Sequence, residues 1–385
     1  MTITDTASTP PVGPPSVKQR IVTFDLLRGY FILVIASIHL HYYPSLFGSF
    51  TGRGQLWVSE AEGFFFVSGL IVTMVRRRTL ERHGWRVATR QLLQRAWTLY
   101  AAATVLTLLY LLIAGGTNAL HVAGAKDGLS TQAWPGLLVS IITLQYSYGW
   151  NDFLDYYALF LALLPAVLAL LYRGWAVAVG LASVAVWGLR WAGDYGVWNP
   201  FMQWQLFFFM GCVIGYYWPA LEAKVRQLSV PVRRRLYRTA MVLAGVVLAL
   251  SATLVFVSEP YATGGTPGGL AGWIVRANLN PAYQSLLVNG RIGLLRPVVF
   301  LVVFAGAFAL VRRYESTILH WAGWLLLPFG SNSLYVYIVE GALLFVIPYI
   351  LRPSGFLINT GLELLVIALA WLAVHRRFMF RWIPR

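Results

Sequence analysis

The sequence predicts an all-α membrane protein, a polytopic bundle of about ten transmembrane helices. Its 385 residues are 58% hydrophobic and only 11% charged, whereas soluble domains carry about 25% charged residues. The apolar residues also fall in runs long enough to cross a bilayer as helices. Composition and run length together place this chain among multi-pass membrane proteins.

The positive charge of the chain supports the same class. The net charge is +16, which in a soluble protein would suggest a nucleic-acid partner, but no nucleic-acid-binding motif accompanies it. The basic residues cluster between apolar runs, as they do on the cytoplasmic side of membrane proteins. We therefore expect the lipid bilayer of the inner (plasma) membrane as a partner, and no nucleic acid.

Ten apolar runs are candidate spans. They lie at residues 23–43, 58–75, 94–114, 155–172, 175–191, 200–218, 239–257, 294–311, 331–350 and 357–374. The basic segments 76–95 and 219–238 and the tail after His375 predict cytoplasmic positions, and ten helices satisfy this with both termini inside. A further run, 134–148, is short and polar, and as a full span it would put 76–95 and 219–238 on opposite sides. It is predicted to be an interfacial or re-entrant segment on the outer side.

The spans define the domain organisation. Residues 1–19 are rich in Thr and Pro and are predicted to be a disordered cytoplasmic tail. Residues 20–375 form the transmembrane domain, and 376–385 form a basic cytoplasmic tail. The single cysteine, Cys212, excludes an intrachain disulfide and a Cys-based zinc site, and no metal is expected.

The first apolar helix carries two unusual charged or titratable residues, Arg28 and His39. Ionisable groups inside a membrane span are costly and by default suggest function. The two residues are eleven positions apart, or about three helical turns, so they share one face and lie about 16 Å apart along the axis. Asp25, three positions before Arg28, offers a structural alternative, because an i, i+3 ion pair would also explain the charges.

The predicted topology brings further polar residues to the outer part of the membrane from several helices. Membrane sites are built in this way, because isolated polar groups facing lipid are unfavourable. They are Glu60, Glu62, Asp155, Asn199, Gln203, Gln205, Asn289, Arg291 and Arg296. The other acids in apolar runs are Asp25, Glu340 and Glu363.

The cytoplasmic segment 76–95 has two readings. It holds seven arginines against one acid, and this excess could serve only to set topology. Arginine also binds phosphate groups bidentately, so the same residues could hold a phosphorylated ligand. Both readings stay open.

Five sequence segments in order resemble a known family. They are Asp25-Leu26-Leu27-Arg28-Gly29 with His39, Ala61 to Gly69, Asp155 to Leu159, Asn199 to Gln205 with Gly211, and Gly330 to Leu334. Together they resemble the acyltransferase-three superfamily, and more specifically its OpgC branch of glucan succinyltransferases. Around Asp155 the match is partial, since Tyr156 and Tyr157 replace part of the pattern usual in that branch.

The resemblance implies a ten-helix enzyme that moves an acyl group from cytoplasmic acyl-CoA, either acetyl-CoA or succinyl-CoA, to a hydroxyl of an extracytoplasmic glycan. His39 would be the general base, with Glu62 or Asp155 as the carboxylate that orients it. The donor would be bound by five arginines, Arg28, Arg76, Arg77, Arg90 and Arg95. The acceptor would be bound by Asn199, Gln203, Gln205, Arg291 and Arg296. Either of these two arginines could instead hold a succinyl carboxylate, or could equally pair with Glu62 or Asp155.

Two other functions compete. A transporter or flippase for a glycan or lipid-linked substrate would have similar buried polar groups but would consume no acyl-CoA. A polytopic glycosyltransferase is disfavoured, since it expects an acidic pair in the first outer loop and residues 43–57 hold no acid. The acyl group, the acceptor, a covalent acyl-histidine intermediate and a homo-oligomeric state all stay open at this level.

Overall fold

The structure, a computed structural model, describes residues 21–117, 134–258, 268–278, 280–288 and 292–383. Regular secondary structure in these ranges is helical throughout, which confirms the all-α prediction for them. The first half holds α1 (Val22–Ile38), α2 (Leu46–Thr51), α3 (Glu60–Thr117), α4 (Trp134–Ile142), α5 (Asp152–Tyr172), α6 (Ala176–Leu189) and α7 (Trp198–Gln227). The second half holds α8 (Val230–Ser258), α9 (Gly269–Asn278), α10 (Pro281–Tyr283), α11 (Arg296–Arg313), α12 (Glu315–Ser331), α13 (Ser333–Ile350) and α14 (Phe356–His375).

Several of these helices are long and apolar enough to cross a membrane. By length and hydropathy there are five within the described residues, α3, α5, α7, α8 and α14, and six if the bent pair α11–α12 forms one span. The helices α1 and α6 are shorter, at 17 and 14 residues. The structure thus supports a helical membrane protein, while the count of ten spans and the sides of the termini stay predictions.

The long helix α3 is one of these five candidate spans, although it folds back on itself. It has 58 residues, yet the Arg76 guanidinium donates a hydrogen bond to the Gln91 amide oxygen. Those two residues would be about 22 Å apart in a straight helix. The turn is at Gly84, whose φ of 79° lies in the left-handed region that favours glycine. Hence α3 is a helical hairpin with a first arm (60–83) and a second arm (85–117).

Glycines let the first arm of α3 pack directly on the backbone of α7. A Cβ added to Gly69 would lie 2.1 Å from the carbonyl oxygen of Phe208, and one on Gly211 would lie 2.1 Å from that of Phe66. Small residues at such crossings allow the close backbone approach on which helix packing in membranes depends. The segments around Gly69 and Gly211 are thereby held side by side.

A valine at position 69 is expected to destabilise the protein, because the added side chain meets a carbonyl oxygen that cannot move without displacing α7. Overpacking of this kind costs about 1–3 kcal/mol, and thermal unfolding in detergent micelles measures it. The matched control is Gly245→Val in α8, since a Cβ there meets nothing within 4 Å. Equal unfolding temperatures for the two variants would contradict the packing described.

The first helix, α1, packs on α12 through a similar contact. A Cβ on Gly29 would lie 2.0 Å from the carbonyl oxygen of Leu326, and one on Gly330 would lie 1.8 Å from that of Asp25. No span is predicted between residues 311 and 331, but α12 fills this range and meets α11 at 95°. After this bend, the start of α13 lies beside the middle of α1, where Ser333 contacts Arg28.

Aromatic side chains join the helices around the C-terminal part of α1. Phe65 of α3 stacks on Phe153 of α5 at 4.2 Å, and Phe153 stacks on Tyr337 of α13 at 4.8 Å. The nearby helix α4 (Trp134–Ile142) begins at the first described residue after position 117. The interfacial or re-entrant position of 134–148 stays a prediction.

Candidate active site

His39 directly follows α1 and faces a buried acid. Its Nδ1 lies 3.8 Å from Oε1 of Glu340, which is on α13 and 1% exposed. Among the described residues, neither carboxylate oxygen of Glu340 has a hydrogen-bond partner, and Nδ1 of His39 has none either. Burying a carboxylate is costly unless it is paired. The imidazole is therefore the group placed to pair with it.

Aromatic rings fix the orientation of the imidazole. The ring of Trp150 stacks on His39 with a centroid distance of 4.0 Å and an angle of 1°. Tyr337 meets the same imidazole edge-on at 6.4 Å and donates a 2.6 Å hydrogen bond to the carbonyl oxygen of Trp150. The His39 side chain keeps 16% exposure although Nδ1 is buried. The edge that carries Nε2 is thus the one available to a substrate.

The carboxylate beside His39 differs from the two expected from the sequence. Glu62, 0% exposed, instead accepts a hydrogen bond from the Arg296 guanidinium and a 3.0 Å bond from the amide of Ser59. Asp155 lies buried in the first turn of α5. In the structure the acid beside His39 is Glu340 rather than Glu62 or Asp155, and the role of each acid in catalysis stays a prediction. Sequence reasoning counted Glu340 among the acids in apolar runs, but no local spacing links it to a residue 301 positions earlier.

Arg28 joins two segments that are far apart in the chain. Its guanidinium donates a hydrogen bond to the hydroxyl of Ser333 at the start of α13 and lies 5.6 Å from the ring centroid of Phe64. Along α1 it is about 16 Å from His39. One helix, α13, therefore contacts both functional candidates of α1, with Ser333 beside Arg28 and Glu340 beside His39.

The five sequence segments lie on α1, the first arm of α3, α5, α7 and the junction of α12 with α13. A comparison with protein families finds that the profile described as OpgC protein matches residues 20–382. The chain belongs to the OpgC family. For the family as a whole this means a membrane acyltransferase that modifies glucans. Searches of curated proteins and of solved structures each gave no significant match.

Among the described residues of this OpgC-family chain, the side chains predicted to bind the acceptor are each held by a different contact. The amide of Gln205 bonds the hydroxyl and the carbonyl of Ser183, at 2.7 and 2.8 Å, and so ties α7 to α6. Gln203 accepts a long hydrogen bond of 3.4 Å from the amide of Ile292. Asn199 bonds its own loop through Asp194. These contacts give each side chain a structural role, and their part in acceptor binding stays a prediction.

The two arginines in that predicted set differ in what the structure describes. Arg296 forms the buried ion pair with Glu62, and its Nη1 lies 3.4 Å from the carbonyl oxygen of Leu287. Arg291 lies outside the described residues. The Arg296 guanidinium is therefore already paired with the Glu62 carboxylate of the protein.

The other four arginines predicted to bind the donor, all on the α3 hairpin, have three different environments. Arg77 is held by the Glu81 carboxylate at 2.8 Å and by the carbonyl oxygen of Tyr216. Arg90 lines an open groove of about 680 Å³ along the second arm. Arg76 and Arg95 lie on opposite arms, close enough to repel each other electrostatically.

Proposed function

We propose that this chain transfers an acyl group from acyl-CoA to a hydroxyl group of a glycan, with His39 as the general base. The observation that carries the proposal is the isolated pair of His39 and Glu340, fixed by Trp150 at the end of α1. An imidazole that is oriented by a carboxylate and has one free edge is the arrangement that activates a hydroxyl nucleophile. Family membership supports the same reaction class.

The proposed reaction needs one proton acceptor and one proton donor. Nε2 of His39 takes the proton of the acceptor hydroxyl as its oxygen bonds to the thioester carbonyl carbon. The tetrahedral intermediate then collapses, the carbon–sulfur bond breaks, and the imidazolium returns the proton to the CoA thiolate. Glu340 stabilises the imidazolium, and the separation of 3.8 Å can shorten when substrate binds.

The donor would reach His39 past Arg28. An extended pantetheine arm fits the distance of about 16 Å between Arg28 and His39, and Arg28 is held towards α13 by Ser333. In the predicted topology, CoA enters from the cytoplasmic side and the glycan from the outer side. The ten-span topology with both termini inside is part of this proposal, as is the inner-membrane location.

Arg76 and Arg95 are the arginines best suited to the CoA phosphates. Each has a buried Nε atom without a hydrogen-bond partner, and the two cations repel each other. A phosphate between them would remove the repulsion and accept charge-assisted hydrogen bonds from both. Arg77 is already engaged by Glu81, which makes it a weaker candidate than its place in the sequence indicates.

Release of free CoA tests the proposed function. Purified protein reconstituted into sealed lipid vesicles is incubated with radiolabelled acetyl-CoA or succinyl-CoA, with and without a β-glucan oligosaccharide. We expect label on the glucan and a matching, acceptor-dependent release of CoA. Movement of glucan across the membrane without any CoA release would overturn the enzyme in favour of the transporter or flippase.

Removing the positive charge of Arg76 and Arg95 is expected to weaken donor binding. Charge-assisted hydrogen bonds are worth about 1.5–3 kcal/mol each, so Arg76→Gln with Arg95→Gln should raise KM for acyl-CoA at least about tenfold. The value of kcat should change little, because neither residue is near the base. The control is Arg78→Gln, which removes one exposed arginine of the same arm. Equal KM values for the control and the double variant would rule out this phosphate site.

A further inference from the structure

A small cavity lies against the two aromatic rings that contact His39. Its walls include these rings, Trp150 and Tyr337, and Gly341, which follows Glu340 in the chain. Its volume is about 20 Å³, enough for about one water-sized group. A group held here would therefore contact the rings that orient the proposed base.

Two hydrogen-bond donors of the cavity walls have no partner. The hydroxyl of Tyr110 is buried in a residue that is 6% exposed, and the indole Nε1 of Trp150 is buried too, and neither has a partner among the described residues. The Tyr110 ring is fixed by stacking on Phe345 at 4.6 Å. A Cβ on Gly341 would lie 3.8 Å from the Tyr110 hydroxyl, so this oxygen is at the Gly341 wall. Buried donors without partners are rare, and both are suited to a carbonyl oxygen.

The residues that line the cavity disfavour a negatively charged ligand. The described wall residues include no Lys, Arg or His, and no Asp or Glu, while the acid Glu340 precedes the wall residue Gly341 in the chain. A carboxylate placed here would lose its hydration without gaining a cation. Arg296, one of the two arginines considered for a succinyl group, is engaged by Glu62.

We propose that this cavity is the acyl pocket, that Tyr110 donates a hydrogen bond to the acyl carbonyl oxygen, and that the pocket admits a short, uncharged acyl group such as acetyl. The proposal rests on the proposed function, because it assumes that a thioester reaches His39. A methyl group matches the available volume, whereas a succinyl chain adds a methylene and a terminal carboxylate. The developing negative charge on the carbonyl oxygen would be stabilised by the Tyr110 hydroxyl.

Donor preference is the first test. We expect kcat/KM for acetyl-CoA to exceed that for succinyl-CoA by about a hundredfold or more, since an unpaired buried charge is rejected strongly. Equal or better use of succinyl-CoA would overturn the acyl pocket while leaving the proposed function intact. Absence of CoA release with both donors would overturn the proposed function, and this proposal with it.

The Tyr110→Phe variant tests the carbonyl contact. Loss of one oxyanion donor typically lowers kcat about a hundred- to a thousandfold, and we expect a loss approaching this range with acetyl-CoA. The unfolding temperature should not fall, because the ring stack on Phe345 is kept and the lost hydroxyl has no protein partner. An unchanged kcat in a folded Tyr110→Phe protein would overturn this role.

Filling the pocket gives an independent test. Gly341→Val places two methyl groups at the cavity wall and should lower kcat/KM for acetyl-CoA at least about tenfold, whereas Gly361→Val in α14, where a Cβ meets nothing within 4 Å, should not. Binding of CoA itself, measured by isothermal titration calorimetry, should be unchanged in the Gly341→Val protein. Full transfer activity in that protein would overturn the pocket.

Discussion

Acyl transfer is expected to fall by about a hundred- to ten-thousandfold when His39 is replaced by alanine, the usual loss when a general base is removed. The physical reason is that a sugar hydroxyl is a weak nucleophile until a neighbouring group takes its proton. The measurement is kcat for label transfer from acyl-CoA to glucan by purified protein. CoA binding should persist, because the proposed phosphate contacts lie on the α3 hairpin, far from His39.

His41 supplies the matched control for this prediction. It stacks on the same Trp150 ring at 5.6 Å but is exposed. His41→Ala should keep most of the activity. Glu340→Gln should lower kcat by up to about ten-thousandfold, the loss seen when the acid that orients a catalytic histidine is replaced by its amide. Wild-type transfer by the His39→Ala protein would exclude both the base mechanism and an acyl-histidine intermediate.

Separating Glu62 from Arg296 is expected to have the largest effect on stability. The pair is buried, with Glu62 0% exposed and Arg296 8% exposed. Removal of one partner leaves an uncompensated buried charge, which typically costs about 3–5 kcal/mol. Glu62→Met or Arg296→Met alone should therefore lower the unfolding temperature strongly, or prevent isolation of folded protein.

The double variant distinguishes a structural role from a catalytic one. Glu62→Met with Arg296→Met should recover much of the lost stability, because replacing a buried ion pair by apolar side chains is often close to neutral. The coupling between the two sites then follows from a double-mutant cycle of unfolding free energies. If the folded double variant also transfers acyl groups, neither residue is a catalytic acid or a substrate ligand. Additive losses of stability would contradict the ion pair.

Much of the fold and part of the site follow from local sequence patterns. The apolar runs predict helices because membrane-spanning segments must satisfy their own backbone hydrogen bonds. The spacing of Arg28 and His39 predicts a shared face because the helical period applies within one helix. The OpgC resemblance is confirmed by the family match over residues 20–382. The roles of individual residues in the site follow neither from these local patterns nor from the family match, and the experiments above test them.

The hairpin of α3 and the helix α12 show why helix order alone is insufficient. Gly84 allows the two arms to stay helical up to the turn, so the basic segment predicted as a loop is helical instead. The range between residues 311 and 331, in which no span is predicted, is the helix that packs on α1 through Gly29 and Gly330. Such contacts depend on helix rotation and depth, which a one-dimensional hydropathy pattern does not record.

By itself, the sequence determined that this is a helical membrane protein, and it singled out Arg28 and His39 on one face of the first helix. Only the tertiary structure decided that Glu340 faces His39, that Glu62 pairs with Arg296, and that Tyr110 lines a cavity with Trp150 and Tyr337. The reason is that periodicity within a helix is a local property of the chain. Pairing between α1 and α13 joins residues about 300 positions apart, and it arises only when the whole bundle packs.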